Sequence, residues 1–313
     1  MPEVAPRLVS TVERLLYLKS LPTLAGLPGQ ELAGVAERAT ERFFAQGSVV
    51  MREGQPVNAI YLVVEGGLAI HRHGRFVSRM GPGAGVGGLG LFARDPEGAQ
   101  VTAEADTLAL EIDAEAMLEI LEDRFPVLLH LLHDISREVV ELIIRLRLDP
   151  YEGTPPCSGH VDPSRELDLV QRIFFLRQMP VFSRASINAL AELSRQLAQV
   201  RFAPGITLWR EGEPAPGAYL ILSGTVHAFS EKNGLDFRAG SGVPLGAIEA
   251  GAEVPRFYDA VTETEVVALQ GSQEALLDVF EDNFEMAMDY VATFARFMLR
   301  VLESRLPQEG RAL

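Results

Sequence analysis

The residues able to do chemistry in this chain are few and scattered. His130-x-x-His133-Asp134 places two imidazoles at i and i+3, which share one face of a helix, so a metal ion is one reading. No third ligand stands at a defined spacing and the segment is rich in leucine, so a packing helix is preferred. His71-x-His73 puts both rings on one side of a strand. With Arg72, Arg75 and Arg79 they make a small basic hairpin, read as a solvated turn in preference to an anion or partner site. Phe257 and Tyr258 follow Arg256 and could stack on a base, but such rings more often fill an interior or line its rim. Cys157 is the single cysteine; with no second cysteine and no activating His–Asp pair beside it, it reads as a spectator thiol. There is no Gly-x-Ser-x-Gly, Walker loop, His-Glu-x-x-His or Cys-x-x-Cys, and the carboxylates form no paired arrangement. The chain is therefore expected not to be an enzyme, and neither cofactor nor metal is expected.

Composition narrows the partners. A net charge of −15 over 313 residues argues against nucleic acid, whose phosphates call for a basic surface. No apolar run approaches the ~20 residues of a membrane span, and no basic-then-apolar leader opens the chain. A cytoplasmic protein is expected, with no DNA and no membrane among its partners. Lys19 and Lys232 are the only lysines; the other cations are arginines, as in GC-rich bacterial coding.

These groups must be positioned by a fold, and the sequence writes its fold twice. Arg42-Phe43-Phe44-Ala45-Gln46-Gly47, Arg52-Glu53-Gly54-Gln55-Pro56, Tyr61-Leu62 and Gly66 return as Val200-Arg201-Phe202-Ala203-Pro204-Gly205, Arg210-Glu211-Gly212-Glu213-Pro214, Tyr219-Leu220 and Gly224, at an offset of 158. Upstream, Leu18 pairs with Leu176 and Pro22 with Pro180. After a one-residue slip, Glu122-Asp123-Arg124-Phe125 matches Glu281-Asp282-Asn283-Phe284. A period this long marks a duplicated domain rather than a solenoid unit.

In the first copy, residues 8–41 read as short amphipathic helices punctuated by Pro22 and Pro28. Short β segments with Gly turns follow over 43–112: Ser48–Met51, Ala59–Val64, Leu68–His71, Val77–Met80, Ala99–Ala103 and Leu108–Ile112. Helical periodicity returns from Ala114 to Leu148. The second copy repeats this, with helices from 167, strands over 206–270 and helices over 273–306. The expected domains are 1–148 and 167–313, joined by a Pro/Gly linker over 149–166. The expected class is α+β, mainly β: two tandem jelly-roll-like β-rolls with N- and C-terminal flanking helices.

The run Phe-x-x-Gly, Glu-Gly-x-Pro, Tyr-Leu, Gly resembles the cyclic-nucleotide-binding domain of catabolite activator and protein kinase A regulatory subunits. Here it is carried by Phe44, Gly47, Glu53-Gly54, Tyr61-Leu62 and Gly66, and again by Phe202, Gly205, Glu211-Gly212, Tyr219-Leu220 and Gly224. The resemblance implies a phosphate cassette in each copy: a Gly-Glu turn into a short helix whose amides cradle a cyclic phosphate, and an Arg that neutralises it. In the first copy, Gly87-Gly88-Leu89 puts Gly88 where the family's Glu stands, and Glu97 falls at the Arg position. This cassette is expected not to bind. In the second copy, Gly246-Ala247-Ile248 lacks the Glu while Arg256 keeps the Arg. Gly246, Ala247, Ile248, Arg256, Phe257 and Tyr258 are thus the candidate ligand residues, for a cyclic nucleotide or another small anion. The alternative for Arg256 is a solvated or ion-paired structural arginine, with Asp259 and Glu249 nearby.

Family transcription factors carry a helix-turn-helix after the roll; none is expected here, since the linker is short and Pro-rich and few residues follow the last helix, and without an Arg-Arg-x-Ser-like segment ahead of the first copy the kinase-regulatory reading is not preferred. The late helices carry a different signal. Leu128, Leu132, Ile135, Val139, Leu142 and Leu146 recur at 4-3-4-3-4, and Met288, Val291, Ala295, Met298 and Leu302 at 3-4-3-4, each a coiled-coil-like seam. Two copies in one chain are expected to pair these helices internally, as a family dimer does between subunits. The expected function is non-catalytic: regulation or scaffolding through another protein. The alternatives are a sensor using Arg256, or a regulatory subunit of a separate enzyme.

Overall fold

The computed structural model describes residues 10–152 and 165–305; most of the 149–166 linker, with Cys157, lies outside them. The first copy opens with α1 (Thr11–Ser20) and α2 (Gly29–Arg38). Eight strands follow: β1 (Thr40–Phe44), β2 (Val49–Met51), β3 (Ala59–Glu65), β4 (Leu68–Arg72), β5 (Arg75–Met80), β6 (Gly85–Val86), then, after α3 (Gly88–Ala93), β7 (Gln100–Ala103) and β8 (Thr107–Asp113). Helices α4 (Ala114–Asp123) and α5 (Phe125–Leu146) close it. The second copy runs α6 (Leu169–Arg177), a 3-10 turn (Pro180–Phe182), α7 (Ile187–Gln196), β9 (Ala198–Phe202), β10 (Thr207–Trp209), β11 (Gly217–Ser223), β12 (Val226–Ser230), β13 (Leu235–Ala239), β14 (Pro244–Leu245), α8 (Ala247–Ala252), β15 (Asp259–Thr262), β16 (Val266–Ser272), α9 (Gln273–Asp282) and α10 (Phe284–Arg305).

Each copy forms two four-stranded antiparallel sheets with matching strand orders. They are β1-β8-β3-β6 and β2-β7-β4-β5 in the first, β9-β16-β11-β14 and β10-β15-β12-β13 in the second. In the first roll Val63 and Val86 of one sheet meet Leu68, Val101 and Ala103 of the other, with Phe44, Met51 and Met80 packed around them. Gly66 and Gly224 turn both rolls at φ +86° and +91°, and a Cβ there would strike the backbone of Asp106 or Glu265, which is why both copies keep glycine. The repeat reaches the helix caps. Ser10 with Glu13 and Asp168 with Gln171 form capping boxes at equivalent helix starts, each replacing orphan amide contacts with water.

The sequence reading, which places 8–41 in helices and begins the second copy's strands at 206, omits the two-residue β6 and also β1 and β9. β1 and β9 are outer strands paired along β8 and β16, and their alternation is blurred by Arg42, Phe43 and Arg201. The one-residue slip lies in one hairpin. The second copy has a longer connection between β12 and β13, and β5 carries a bulge opposite Ile70/His71 that returns part of the difference.

Backbone proximity divides the molecule into two compact units elsewhere than the repeat does: 1–131 with 295–313, and 132–294. The exchange falls inside α5 and α10, so each unit contains part of both long helices. In the seam, Leu128, Leu132, Ile135, Val139, Met288, Val291 and Ala295 are buried, while Leu142, Leu146, Met298 and Leu302 are half-buried. Within the second unit, Ser136 Oγ of α5 lies 3.3 Å from Tyr290 Oη of α10.

Candidate functional site

In the first unit, the chain leaves β6 at Gly87 (φ +98°) and enters α3. A Cβ at Gly87 would collide with the carbonyl of Ala59, so the sharp entry requires glycine. Gly88 and Leu89 are half-buried, and the Glu97 side chain is exposed. The cation here comes from a residue read as part of a solvated hairpin. Arg72, the last residue of β4, is buried, and its guanidinium donates to Asp95 Oδ2 at 2.5 Å, to the Gly98 carbonyl at 2.8 Å and to Glu303 Oε1 at 2.8 Å. Glu97 Oε2 lies 3.7 Å from its Nη2 and 3.4 Å from His73 Nε2. One guanidinium therefore faces three carboxylates, and the surplus is negative. Burial pushes the Asp95 carboxyl up, but the Arg72 hydrogen bond and charge, with the Glu97 and Gly98 amides, hold it below the ordinary carboxylate value. His73, Glu97 and Glu303 also bring ligand-type atoms within 4.8 Å of one another; Arg72 already supplies positive charge to that group. His71 packs edge-on against Phe76 instead. His130 Nε2 donates to the Thr23 carbonyl, 2.6 Å away, while His133, which belongs with Glu253 to the other unit, lies 3.5 Å from that carboxylate, so the two imidazoles have different partners.

The second unit repeats the backbone and changes the chemistry. β14 ends at Gly246 (φ +85°), α8 follows, and Arg256 stands just before β15. Gly246 and Ile248 are buried, Ala247 half-buried. Arg256 is 4% exposed. Its Nη1 donates to the Gly246 carbonyl at 2.9 Å and its Nη2 to the Gly217 carbonyl at 2.6 Å. Its guanidinium carbon lies 4.0 Å from the centroid of Trp209, a cation–π contact. Nη1 is also 3.3 Å from Glu249 Oε1. Glu249 is fully buried on α8. Burial raises its carboxyl, and the Arg256 charge opposes that rise. The two named neighbours of Arg256 thus part company: Glu249 faces it, while Asp259 Oδ1 accepts from the Glu211 amide at 2.6 Å.

Around the pair stand rings of the chain itself. Tyr258 is fully buried and Phe257 nearly so. Tyr258 packs edge-on to Phe237 and Phe257 and tilted to Trp209, and Trp209 stacks on Tyr219. Tyr151, from the segment after α5 assigned to the linker, is buried against Phe237 and donates to the Pro244 carbonyl at 3.1 Å. Sequence reasoning missed Arg72, Tyr151 and Trp209 as parts of the two sites. Only Trp209 carried a signal, as the chain's sole tryptophan.

With this geometry in hand, the comparisons with known proteins are specific. The cyclic nucleotide-binding domain family matches residues 41–124 and 199–283, together more than half of the chain. A CRP-like cAMP-activated global transcriptional regulator of Mycobacterium tuberculosis is 30% identical over 129 residues, which are 40% of this chain and 58% of the regulator. The match thus spans less than two thirds of that relative's length. Among solved structures, the regulatory domain of Toxoplasma gondii PKA with cAMP is 16% identical, with 92% of this chain and 97% of that one covered and a TM-score of 0.36. The regulatory subunit of a cAMP-independent protein kinase A from Trypanosoma brucei is 21% identical, with 98% and 95% covered and a TM-score of 0.33. The N-terminal domain of a Streptomyces coelicolor transcriptional regulator is 27% identical, with 44% and 99% covered and a TM-score of 0.37. Those scores add nothing to the family match, which rests on the duplicated sequence. This chain belongs to the cyclic nucleotide-binding domain family and carries two tandem copies of that domain.

Proposed function

We propose that this protein is a non-catalytic regulatory or scaffolding protein whose two domains do not take a cyclic nucleotide and which acts through contacts with another protein. The observation that carries this reading is the engagement of Arg256. The one cation at the cassette distance is buried against two carbonyls, a carboxylate and Trp209. A cyclic phosphate would have to displace Glu249, and a nucleoside would have to displace Tyr151 or Tyr258. In the first domain three carboxylates around Arg72 repel an anion.

A protein partner is supported by the repeat. Val12 and Leu16 on α1 and Val170 and Phe174 on α6 are exposed apolar pairs at i and i+4, and the two pairs are equivalent at the offset of 158. Exposed apolar groups kept at the same place in both copies suit a docking face. Among the described residues no helix is long and apolar enough to cross a membrane.

The test is calorimetry of the full chain with cyclic AMP and cyclic GMP at up to millimolar concentration. No saturable heat is expected. Micromolar binding of either nucleotide would overturn the reading in favour of the alternative, a sensor working through Arg256.

A further inference from the structure

Ligand-type groups converge in the first unit, away from the helix where the sequence offered a metal site. A ring nitrogen of His73 and carboxylate oxygens of Glu97 and Glu303 lie within 4.8 Å of one another, and all three residues belong to one compact unit. His73 and Gly74, at φ +52° and +71°, make the two-residue turn between β4 and β5, with the positive φ values that match the twist of a hairpin. Glu97 stands in the connection from α3 to β7, and Glu303 in the last turn of α10. Each is oriented by a further group, as metal ligands are. His73 donates its backbone amide to Glu53 Oε1, and its Nδ1 lies 3.5 Å from the same oxygen. That leaves Nε2 directed at Glu97 Oε2, 3.4 Å away. Glu303 Oε1 accepts from Arg72 at 2.8 Å, so its second oxygen is the one left for a metal. The Glu97 amide donates to Asp95 Oδ1 at 3.1 Å. The floor under these groups is the buried Arg72–Asp95 pair, each side chain 6% exposed, while His73 and Glu97 reach solvent above it.

Charge favours a cation here. Arg72 faces Asp95, Glu97 and Glu303, and Glu53 adds a fourth carboxylate beside His73. Four carboxylates against one guanidinium leave three negative charges when the imidazole is neutral, and a divalent ion answers two of them. The second copy is the control. Its β12–β13 turn brings Lys232 to 3.3 Å from Glu211 Oε1, the counterpart of Glu53, and Arg256 stands at the place of Glu97. Ammonium and guanidinium groups are donors with no lone pair for a metal. At these places the second copy supplies its own cations, and the first supplies ligands.

We propose that His73, Glu97 and Glu303 bind a divalent transition-metal ion of the zinc type, with water completing its shell, and that the ion ties the last turn of α10 to the β4–β5 turn of the first roll. Zinc–ligand distances of about 2.0–2.2 Å set tetrahedral edges of about 3.4 Å, the separation that His73 and Glu97 already have. The terminal torsions of the two glutamates are broad enough to close the rest. A nitrogen with two carboxylates suits zinc or cobalt; magnesium prefers oxygen ligands and keeps most of its water. Arg72 and Glu53 are positioning residues, holding Glu303 and the imidazole without touching the ion.

The experiment is calorimetric titration of the full chain, freed of metal by chelation and dialysis, with zinc chloride at neutral pH. Saturable binding is expected, and magnesium in large excess should not displace it. His73→Asn, in which asparagine tolerates the left-handed turn, and Glu97→Gln, a change at an exposed side chain that leaves folding untouched, should each weaken zinc binding at least about tenfold. His71→Gln should not, because that ring packs on Phe76 instead. Hydrogen exchange in the last turn of α10 should slow when zinc is added to the wild type, and should not change in Glu303→Gln. No saturable binding by the wild type overturns the proposal. So does an affinity unchanged in both His73→Asn and Glu97→Gln, which would place the ion elsewhere, or displacement by magnesium, which would mean a diffuse attraction of cations to the carboxylates. Zinc binding that leaves exchange in α10 unchanged overturns the assignment of Glu303 and the tie with it.

Discussion

Replacing Arg256 by Met tests whether the second domain's cation is a buried structural member. The substitution keeps a long apolar stem over Trp209 and removes the charge. At 3.3 Å from Glu249, the lost attraction is about 5 kcal/mol at an effective dielectric of ~20. The carbonyls of Gly246 and Gly217 lose their donors as well, at ~1–3 kcal/mol for each one left unsatisfied. Against this, Glu249 relieves its isolation by taking a proton, and the desolvation of the guanidinium is no longer incurred. Breaking one partner of a buried pair usually costs about 3–5 kcal/mol, and that is the expected loss. The assay is urea unfolding followed by Trp209 fluorescence, which reports on this domain because Trp209 is the chain's only tryptophan and lies against the mutated side chain. With a urea slope of about 2 kcal/mol per molar, the midpoint should fall by about 2 M. Replacing both members, Arg256→Met with Glu249→Leu, removes the stranded charge and should recover most of the loss. A midpoint shift of ~0.5 M or less for the single change would refute the buried pairing. Equal losses in single and double variants would show that shape, not charge, sets the stability.

The two domains should respond to pH in opposite senses. The raised Glu249 carboxyl contributes stability that is full below the ordinary glutamate value and is lost as pH rises through its folded value, so the Trp209-reported midpoint should drop across that window and Glu249→Gln should flatten the profile. The lowered Asp95 carboxyl contributes stability present above the ordinary aspartate value and lost as pH falls through its folded value; hydrogen exchange at β4 and β7 should show that acid loss, and Asp95→Asn should remove it. Gly246→Ala should destabilise the second domain by more than the ~1–2 kcal/mol of a left-handed alanine, because its Cβ would overlap Arg256 Nη1 and press on Trp209; an unchanged urea midpoint would contradict the packing. Ile135→Asp with Val139→Asp buries two unpaired carboxylates and should cost several kcal/mol, read as loss of cooperative unfolding by circular dichroism; a stable double variant would mean that this part of the seam is exposed in solution.

Much of the fold was legible because it is written in short-range signals, twice. Turn glycines with positive φ, capping residues and the alternation of β3, β4 and β8 are local properties, and an offset of 158 let each copy check the other. The place of Arg256 and the loss of its counterpart at Glu97 were equally local, being a matter of counting from Gly246 and Gly87. What the sequence could not decide was what each charged side chain meets. Arg72 looked like a hairpin arginine, yet its partners Asp95 and Glu303 lie far along the chain, and only folding brings them together. Glu249 and Asp259 stood equally near Arg256 in sequence, and the turn of α8 aimed one inward while the Glu211 amide took the other. Tyr151 sat in a Pro/Gly-rich stretch that reads as linker, and only the roll's interior gave it a hydrophobic place to go. Backbone turns depend on the residue and its neighbours. The fate of a buried charge depends on desolvation and on partners supplied from anywhere in the chain, and those are set by tertiary structure alone.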